Sequence, residues 1–206
     1  MAGGEGSPQS LEELNSALAA GQRQFPGLRL RDLDGVDLDL SNCDLRASCF
    51  KEARFGRARF HRSQLEGCRF QQALLWGADL SGSRLQGIDF NSAFMHRCCL
   101  RGVLAAGSHW HQARLVEADF RSGLDQLTDL GGADFQGADL SFALLQGAQL
   151  HGADLRGACL YGADLGQADL QQADLRGCDL RDCNMEGSRL EGAQLEGALS
   201  RRDSCS

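Results

Sequence analysis

The sequence predicts an all-β solenoid of square coils, closed at its start by a short α-helix. A large apolar residue recurs at nearly every fifth position from Leu45 onward, and the residue two places before it is nearly always Ala, Ser or Cys. A period of five suits neither an α-helix, which repeats every 3.6 residues, nor a continuous strand, which repeats every two. The helix is indicated by Ser10, followed three residues later by Glu13 in an apolar-periodic segment.

Each repeat of five residues accounts for one side of a coil. A large residue with a small one two places earlier is the pattern of a short extended segment whose two ends point inward and whose middle points outward. The remaining two residues turn the chain, and the frequent Gly after the large residue suits a turn. Four sides close a coil of 20 residues, so residues 41–200 predict about eight coils, stacked to a height of about 38 Å.

The segments outside the repeats are assigned from their own patterns. A solenoid exposes unpaired strand edges at its ends, so a cap is needed, and the expected helix at 11–20 supplies one. The leucines between residues 26 and 40 lie two places out of register, which predicts an irregular first coil. The predicted organisation is a disordered N-terminus at 1–9, a cap helix and irregular first coil at 10–40, the repeat solenoid at 41–200, and a C-terminal tail at 201–206.

The repeats resemble those of the pentapeptide-repeat family, whose consensus is A(D/N)LXX. Ala153-Asp154-Leu155 and Ala163-Asp164-Leu165 match this consensus in full, and the repeats cover roughly four fifths of the chain. The resemblance implies a right-handed quadrilateral β-helix. The segment LNSALAAGQRQFPGLRL resembles the N-terminal cap of cyanobacterial members, among them one that affects heterocyst differentiation. This likeness implies a cyanobacterial source and a regulatory or signalling role.

Composition and motifs exclude several kinds of function. The net charge of −7 argues against a basic nucleic-acid binder, and the apolar runs are too short for a membrane-spanning helix. The N-terminus has no basic segment followed by an apolar one, so we expect a cytoplasmic protein without a secretory signal. There is no phosphate-binding loop, HExxH motif or nucleophile elbow, so we expect a non-enzyme without a cofactor or metal.

The histidines and cysteines are the remaining candidates for chemistry. His109 and His111 point outward, and Asp89 and Asp129 are predicted to lie below and above His109. This group either holds a divalent cation or forms a charge-paired surface column, and the lack of a well-placed third ligand favours the column. Five of the nine cysteines take the inward position usually held by Ala, where they act as small hydrophobes. These five are Cys43, Cys68, Cys98, Cys178 and Cys183.

Outward apolar residues are the predicted contacts for a protein partner. Leu74 and Phe94 lie 20 residues apart and should stack on one face, with Trp76 just beyond the neighbouring turn. Stacked exposed apolar groups are uncommon on soluble monomers, although isolated ones are normal.

A second outward group also has a 20-residue spacing, beside two positions where a large core residue is missing, Ala105 and Asp125. Either the leucines turn inward at a local bulge with a loop at 121–129, or they form an exposed stripe. The bulge is favoured because a buried lone aspartate is costly. The members of this group are Leu104, Leu124 and Leu144.

One inward column is aromatic and one outward column is acidic. The inward column runs Phe50, Phe70, Phe90, Trp110 and then Leu130, and it is predicted to be core packing. The acidic column either bonds the backbone amides of the turns or imitates a nucleic-acid backbone. Its members are Asp134, Asp154 and Asp174.

Two functions therefore remain open. The first is a non-enzymatic scaffold for protein–protein interaction, with a partner of unknown identity. The second is implied by another branch of the family, whose members are acidic dimers joined at their C-terminal ends: a DNA-mimicking modulator or protector of a type II topoisomerase (gyrase). We expect a monomer or a dimer through the C-terminal end, with no membrane contact and no direct nucleic-acid binding.

Overall fold

The computed structural model describes residues 7–30 and 33–200. It contains one helix, α1 (Leu11–Ala19), and square coils that stack on one another from residue 23 to residue 200. Each side of a coil is so short that only its middle residue forms a parallel bridge, to the middle residues of the coils below and above. The bridges run from Gln24 to Leu199, so the chain is a quadrilateral β-helix whose core is enclosed by the four sides.

Helix α1 begins and ends at the predicted signals. The Ser10 side chain accepts a hydrogen bond from the Glu13 amide at 3.1 Å, and the Glu13 carboxylate accepts one from the Gln9 amide at 2.7 Å. These two bonds satisfy amides that the first turn of a helix leaves without partners. Gly21 follows the helix with a φ of 86°. Leu14 is fully buried against the first coil, so α1 caps the start of the core as predicted.

The first coil is regular, which corrects the irregular coil expected between residues 10 and 40. Gln24 and Asp39 both bridge residues 20 positions later, as in the coils above. Phe25 takes the large inward position, and Leu28 takes the small inward position that Ala occupies elsewhere. The leucines are out of register because Leu28, Leu33 and Leu38 stand at the inward position that is small elsewhere, whereas Gly35 stands at a position that is large elsewhere.

Aspartate at the middle of a side closes the turn that follows it. The Asp154 carboxylate accepts a hydrogen bond from the Arg156 amide at 3.1 Å, and Asp164 accepts one from Gly166 at 3.0 Å. A short carboxylate that bonds its own backbone two residues on stabilises a turn. The Ala-Asp-Leu triplet is thereby explained, because Ala and Leu fill the core while Asp fixes the corner.

Acid is expected to weaken the fold through these aspartates. Hydrogen bonds from the side chain and backbone of Ser41 lower the pKa of Asp39 to about 2, against an ordinary value of 3.8. Because the folded pKa is depressed, this stabilisation is complete above the unfolded pKa and is lost as the pH falls through the folded one. We expect the urea concentration at the midpoint of denaturation to decrease as the pH is lowered from about 4 to about 2. The variant Asp39→Asn keeps an acceptor for Ser41 and should make that decrease smaller. An unchanged dependence of the urea midpoint on pH would contradict the role assigned to Asp39.

One coil contains 25 residues rather than 20. Leu104 bridges Asp129 and His109 bridges Asp134, each 25 positions later, whereas Asp129 again bridges a residue 20 positions on. The additional residues form a loop at 121–127, directly after the buried Phe120. Residues 20 apart therefore stack only when both lie on the same side of this loop.

This loop corrects two predictions about the core. Asp125 lies in the loop and is exposed, so it does not interrupt the core beside Ala105. The aromatic column passes from Trp110 to Phe135, whose ring centroids are 5.5 Å apart, and not to Leu130. Both errors have one cause: the sequence keeps its period of five through the loop, although the loop residues are outside the coil.

The C-terminal end of the core is less covered than the rest. Leu175 is fully buried, Leu190 is half-buried, and Leu195 is 41% exposed although it points inward. Residues 201–206, the predicted tail, and residues 1–6 of the predicted disordered segment lie outside the described residues.

Candidate protein-binding surfaces

The first predicted group lies on one flat face and the corner that follows it. Leu74 bridges Phe94, and both are half-buried, so the predicted stacking of these two side chains is present. The Arg114 guanidinium lies over the Phe94 ring, with 4.9 Å between its central carbon and the ring centroid. We call this surface the Leu74 face. Its middle residues are, in order, Asp34, Arg54, Leu74, Phe94, Arg114, Asp139, Cys159, Asp179 and Leu199.

The corner beyond this face is rich in aromatic residues. Trp76 is 38% exposed, and its ring lies on Gly56 of the coil below, where any side chain would collide with the indole. Higher on the same corner, Phe142 is 50% exposed and packs edge-on against Tyr161 at 5.4 Å. We call this the Trp76 corner. Its outward residues include Arg57, Trp76, His96, Arg97, Val116, Glu117, Phe142, Tyr161, Arg181 and Asp182.

The loop at 121–127 presents the most exposed apolar side chain in the described chain. Leu124 is 100% exposed and Leu127 is 59% exposed. The loop is nevertheless held in place, because the Gly123 amide donates to the Gln126 carbonyl at 2.8 Å and the Gln126 side chain donates to the Gly102 carbonyl. Thr128 anchors its end, accepting from the Gly102 amide at 2.8 Å.

A groove lies beside this loop. Its volume is about 470 Å³, and its wall includes His61, Arg62 and Arg101 on the side of the coil. Loop residues 123–126 form the opposite wall. The apolar tip of the loop therefore lies next to a depression lined by Arg62 and Arg101 on one side and by Asp125 on the other.

The second predicted group is not a stripe. Leu104 and Leu144 are half-buried on the two faces that meet at the loop, and Leu124 lies on the loop itself. The favoured interpretation, in which the leucines turn inward at a bulge, is therefore wrong for Leu124. A loop was expected at 121–129, and its observed extent is 121–127.

The predicted acidic column is present, but arginines neutralise much of its charge. Asp134 bridges Asp154, and Asp154 bridges Asp174. Arg156 pairs with Asp154 at 2.6 Å and also lies 3.6 Å from Asp174. Hydrogen bonds from the Arg156 guanidinium hold the pKa of Asp154 below its ordinary value. This arrangement fits the interpretation that the aspartates close turns.

The histidine column differs in one member. His109 lies between Asp89 and Asp134, and not below Asp129, because the coil contains the loop. Within residues 7–30 and 33–200, no group of three or more His, Cys, Asp or Glu side chains is arranged to hold a metal ion.

Four of the five inward cysteines, all except Cys43, donate hydrogen bonds to backbone carbonyls of the coil below. The Cys68 thiol donates to the Leu45 carbonyl and the Cys98 thiol to the Leu75 carbonyl, both at 2.9 Å. Burial raises the pKa of both thiols to about 12, so they are poor nucleophiles.

Comparison with known proteins decides the family. The model of the pentapeptide repeats matches eight copies, at residues 39–77, 68–104, 127–162 and 163–199. The chain is a pentapeptide-repeat protein. The matched segments leave out residues 105–126, which include most of the loop. Pentapeptide-repeat proteins fold as right-handed quadrilateral β-helices and are in general not enzymes.

Solved structures of other members are similar to this pentapeptide-repeat protein. HetL, involved in heterocyst differentiation regulation in the cyanobacterium Nostoc sp. strain PCC 7120, is 29% identical, with 96% of this chain and 99% of HetL covered and a TM-score of 0.39. A trypsin-treated form of QnrB1, a plasmid-mediated fluoroquinolone resistance protein, is 21% identical, with coverage of 84% and 89% and a TM-score of 0.66. The QnrB1 likeness supports the fold. No curated protein matches the chain in sequence.

Three surface residues did not emerge from the sequence pattern. Phe142 and Leu127 are exposed and Tyr161 is half-buried, but none of them stands at the middle of a side, where the pattern predicts outward residues. Phe142 stands at a left-handed turn position, with a φ of 57°, where Gly is the commoner residue. A large apolar residue at such a position was the available signal. No helix among the described residues has the length and apolar character needed to cross a membrane.

Proposed function

We propose that this pentapeptide-repeat protein is a non-enzymatic scaffold that binds another protein through the loop at 121–127. The observation that supports this proposal is the full exposure of Leu124 at the tip of a loop held by hydrogen bonds. Covering Leu124 and Leu127 in a partner would stabilise the complex by about 1.5 to 3 kcal/mol for each fully buried side chain. Since the loop is already ordered, little of that free energy is lost in fixing it.

The groove beside the loop indicates the chemistry of the partner. Arg62 and Arg101 are exposed on its wall, and His61 lies beside them. Asp119 lies 4.0 Å from Arg101 and 2.8 Å from Arg121, so part of this charge is already balanced. The expected partner surface has an apolar pocket for the leucines, flanked by acidic side chains that face Arg62 and Arg101.

Deletion of residues 123–127 tests the loop. Arg121 and Ser122 would remain as the two-residue turn between Phe120 and Thr128, so the coil would return to 20 residues. We expect the free energy of unfolding to change by less than about 1 kcal/mol, because the deleted residues include no core side chain. The affinity for a partner isolated from the source cells should fall at least about tenfold, measured with purified proteins.

Point variants separate the leucines from the loop backbone. Leu124→Asp together with Leu127→Asp should lower the affinity for the partner as much as the deletion does. Asp125→Asn in the same loop should leave that affinity unchanged. If the deletion variant folds and binds every captured partner with unchanged affinity, the loop is not the contact surface.

The topoisomerase role remains the alternative proposal. QnrB1 is a fluoroquinolone resistance protein with the same fold, but the pairing of Arg156 with Asp154 leaves this chain with a weaker acidic column than a nucleic-acid mimic needs. A DNA gyrase supercoiling assay with the purified protein distinguishes the two roles, since the scaffold predicts no effect. The regulatory role, the cyanobacterial source and the cytoplasmic location stay predictions.

A further inference from the structure

We propose that the C-terminal end of the solenoid binds an amphipathic helix of another protein, with basic residues in the first and last turns of that helix. This surface is separate from the loop at 121–127, so the inference does not depend on the loop contact. It rests on the uncovered core of the last coil, on the glutamates at the corners of that coil, and on the helix that covers the opposite end of the same core.

The last coil of the described chain, at residues 183–200, presents its inward side chains to solvent. In the coil below, the large inward residues are fully buried. One coil later, Met185 and Leu190 are half-buried and Leu195 is 41% exposed. The amides of these three residues donate no backbone hydrogen bond to another described residue, whereas each matching amide of the coil below donates to a carbonyl of the last coil. This end is therefore an apolar surface bounded by an open sheet edge, which proteins usually cover.

Three of the four corners of the last coil carry a glutamate at the same turn position. All three glutamates are exposed, and none is ion-paired with another described residue. They are Glu186, Glu191 and Glu196. The nearby arginines already have partners, since Arg181 pairs with Asp179 at 2.7 Å and Arg189 lies 3.5 Å from Asp169. The apolar surface is therefore surrounded by unpaired negative charge.

The charges that follow in the sequence do not cancel these glutamates. Residues 201–206 contain two arginines and one aspartate, a net charge of 2 − 1 = +1, against −3 for the three glutamates. A charge of −2 remains. Complementarity therefore calls for a basic partner surface around an apolar centre.

The opposite end of the solenoid shows that a helix fits such a square. Helix α1 has nine residues, and its Leu14 is fully buried against the first coil, with Leu11 and Leu18 packed beside it. Nine residues at about 1.5 Å each give a length of about 13.5 Å. Three extended residues give each side of the square about 10 Å, and hence a diagonal of about 14 Å. A helix of similar length spans the C-terminal end from one corner to the opposite corner.

The glutamates select one diagonal. Each side of the coil is followed by one corner, so Glu186 and Glu196 lie at opposite corners and Glu191 lies at the corner between them. A helix along this diagonal has a glutamate near each of its ends. Lysine or arginine in its first and last turns would pair with Glu186 and Glu196, while its apolar stripe covers Leu190 and Leu195.

A second copy of this chain fits the same surface poorly. Any two-fold axis that brings the corners of two such ends together sets glutamate against glutamate in at least two of the four contacts, because three corners carry it. Stacking head to tail instead brings this end against α1, whose first turn exposes Glu12 and Glu13. Like charges oppose both arrangements.

Fluorescence anisotropy with a labelled synthetic peptide tests the proposal. The peptide is a helix of about 14 residues with leucine along one face and lysine in its first and last turns. We expect a Kd on the order of 10 to 100 µM, since the surface is small, and weaker binding in high salt. Glu186→Gln together with Glu196→Gln should lower the affinity at least about fivefold, and so should Leu195→Ser alone.

Matched controls separate this surface from the rest of the chain. Glu12→Gln together with Glu52→Gln removes the same charge elsewhere and should leave the peptide affinity unchanged. Leu124→Asp together with Leu127→Asp should also leave it unchanged, although these substitutions remove the contact proposed for the loop. Peptides with glutamate in place of lysine, or alanine in place of leucine, should not bind.

Any of three results would overturn the inference. The first is a folded, unmodified protein that does not bind the peptide at about 1 mM. The second is peptide binding that the loop variant abolishes, or that the folded variants at the C-terminal end leave unchanged. The third is a dimer in sedimentation equilibrium that Leu195→Ser dissociates, because a second copy would then be the occupant of this end. If Leu195→Ser does not fold, the double glutamate variant decides the second result.

Discussion

Replacing Trp110 with alanine is expected to lower the free energy of unfolding by about 4 kcal/mol. Trp110 is fully buried and lies between Phe90, at 4.6 Å, and Phe135, at 5.5 Å between ring centroids. Its indole N–H donates to Ser108, so the ring satisfies its polar group as well as filling the core. Alanine would leave a cavity at the one coil that also carries the loop.

Two variants make this prediction specific. Trp76→Ala removes the other tryptophan, which is 38% exposed on the corner, and should cost less than about 1 kcal/mol. Trp110→Phe keeps a ring between Phe90 and Phe135. Its loss in the free energy of unfolding should lie between those of the other two variants. Urea denaturation followed by circular dichroism measures all three. Equal losses for Trp76→Ala and Trp110→Ala would show that the aromatic column does not carry the stability assigned to it.

Exchanging the neighbours Ala163 and Asp164 is expected to cost about 4 kcal/mol or more, although the composition of the chain does not change. Ala163 is 1% exposed and points into the core, so the exchange places a carboxylate there without a partner. It also removes the bonds that Asp164 accepts from the Gly166 amide, at 3.0 Å, and from the Asn184 side chain, at 2.9 Å.

The single variant Asp164→Ala separates these contributions. It removes only the turn and Asn184 bonds and should cost about 1 kcal/mol. Because coils contact only their neighbours, we expect the exchange to unfold the coils from Ala163 to the C-terminal end first. Hydrogen exchange should then show lost protection in that last fifth of the chain while the Trp110 coil stays protected. Uniform loss along the chain would contradict local unfolding.

The fold was predictable because the five-residue period fixes which residues point inward. The helix was predictable from Ser10 and Glu13, whose reciprocal bonds are local and need no tertiary contact. The stacking of Leu74 on Phe94 followed from the same arithmetic, since no interruption separates them.

The contents of the loop were not predictable from periodicity. In the five-residue repeat, Leu124 stands at the outward position and Asp125 at the large inward position. The sequence pattern therefore predicts that both lie on a side of a coil. Burying Asp125 in the core without a partner would cost more free energy than placing five residues outside the coil as a loop. The five-residue period of the sequence carries no information about that difference in free energy. Phe142 and Tyr161 at the Trp76 corner were missed for another reason: turn residues carry no inward or outward alternation.

In the 25-residue coil, the number of five-residue repeats in the sequence exceeds the number of sides in the β-helix by one. Phe120 fills the core before the loop and Leu130 fills it after the loop. They are two repeats apart in the sequence, yet they lie on consecutive sides of the β-helix. A chain of this kind can lengthen at a corner by one whole repeat and leave every inward residue above and below in phase. Growth in units of five then alters which surface residues are neighbours without altering the core, and here it is the reason that Arg114 lies beneath Asp139.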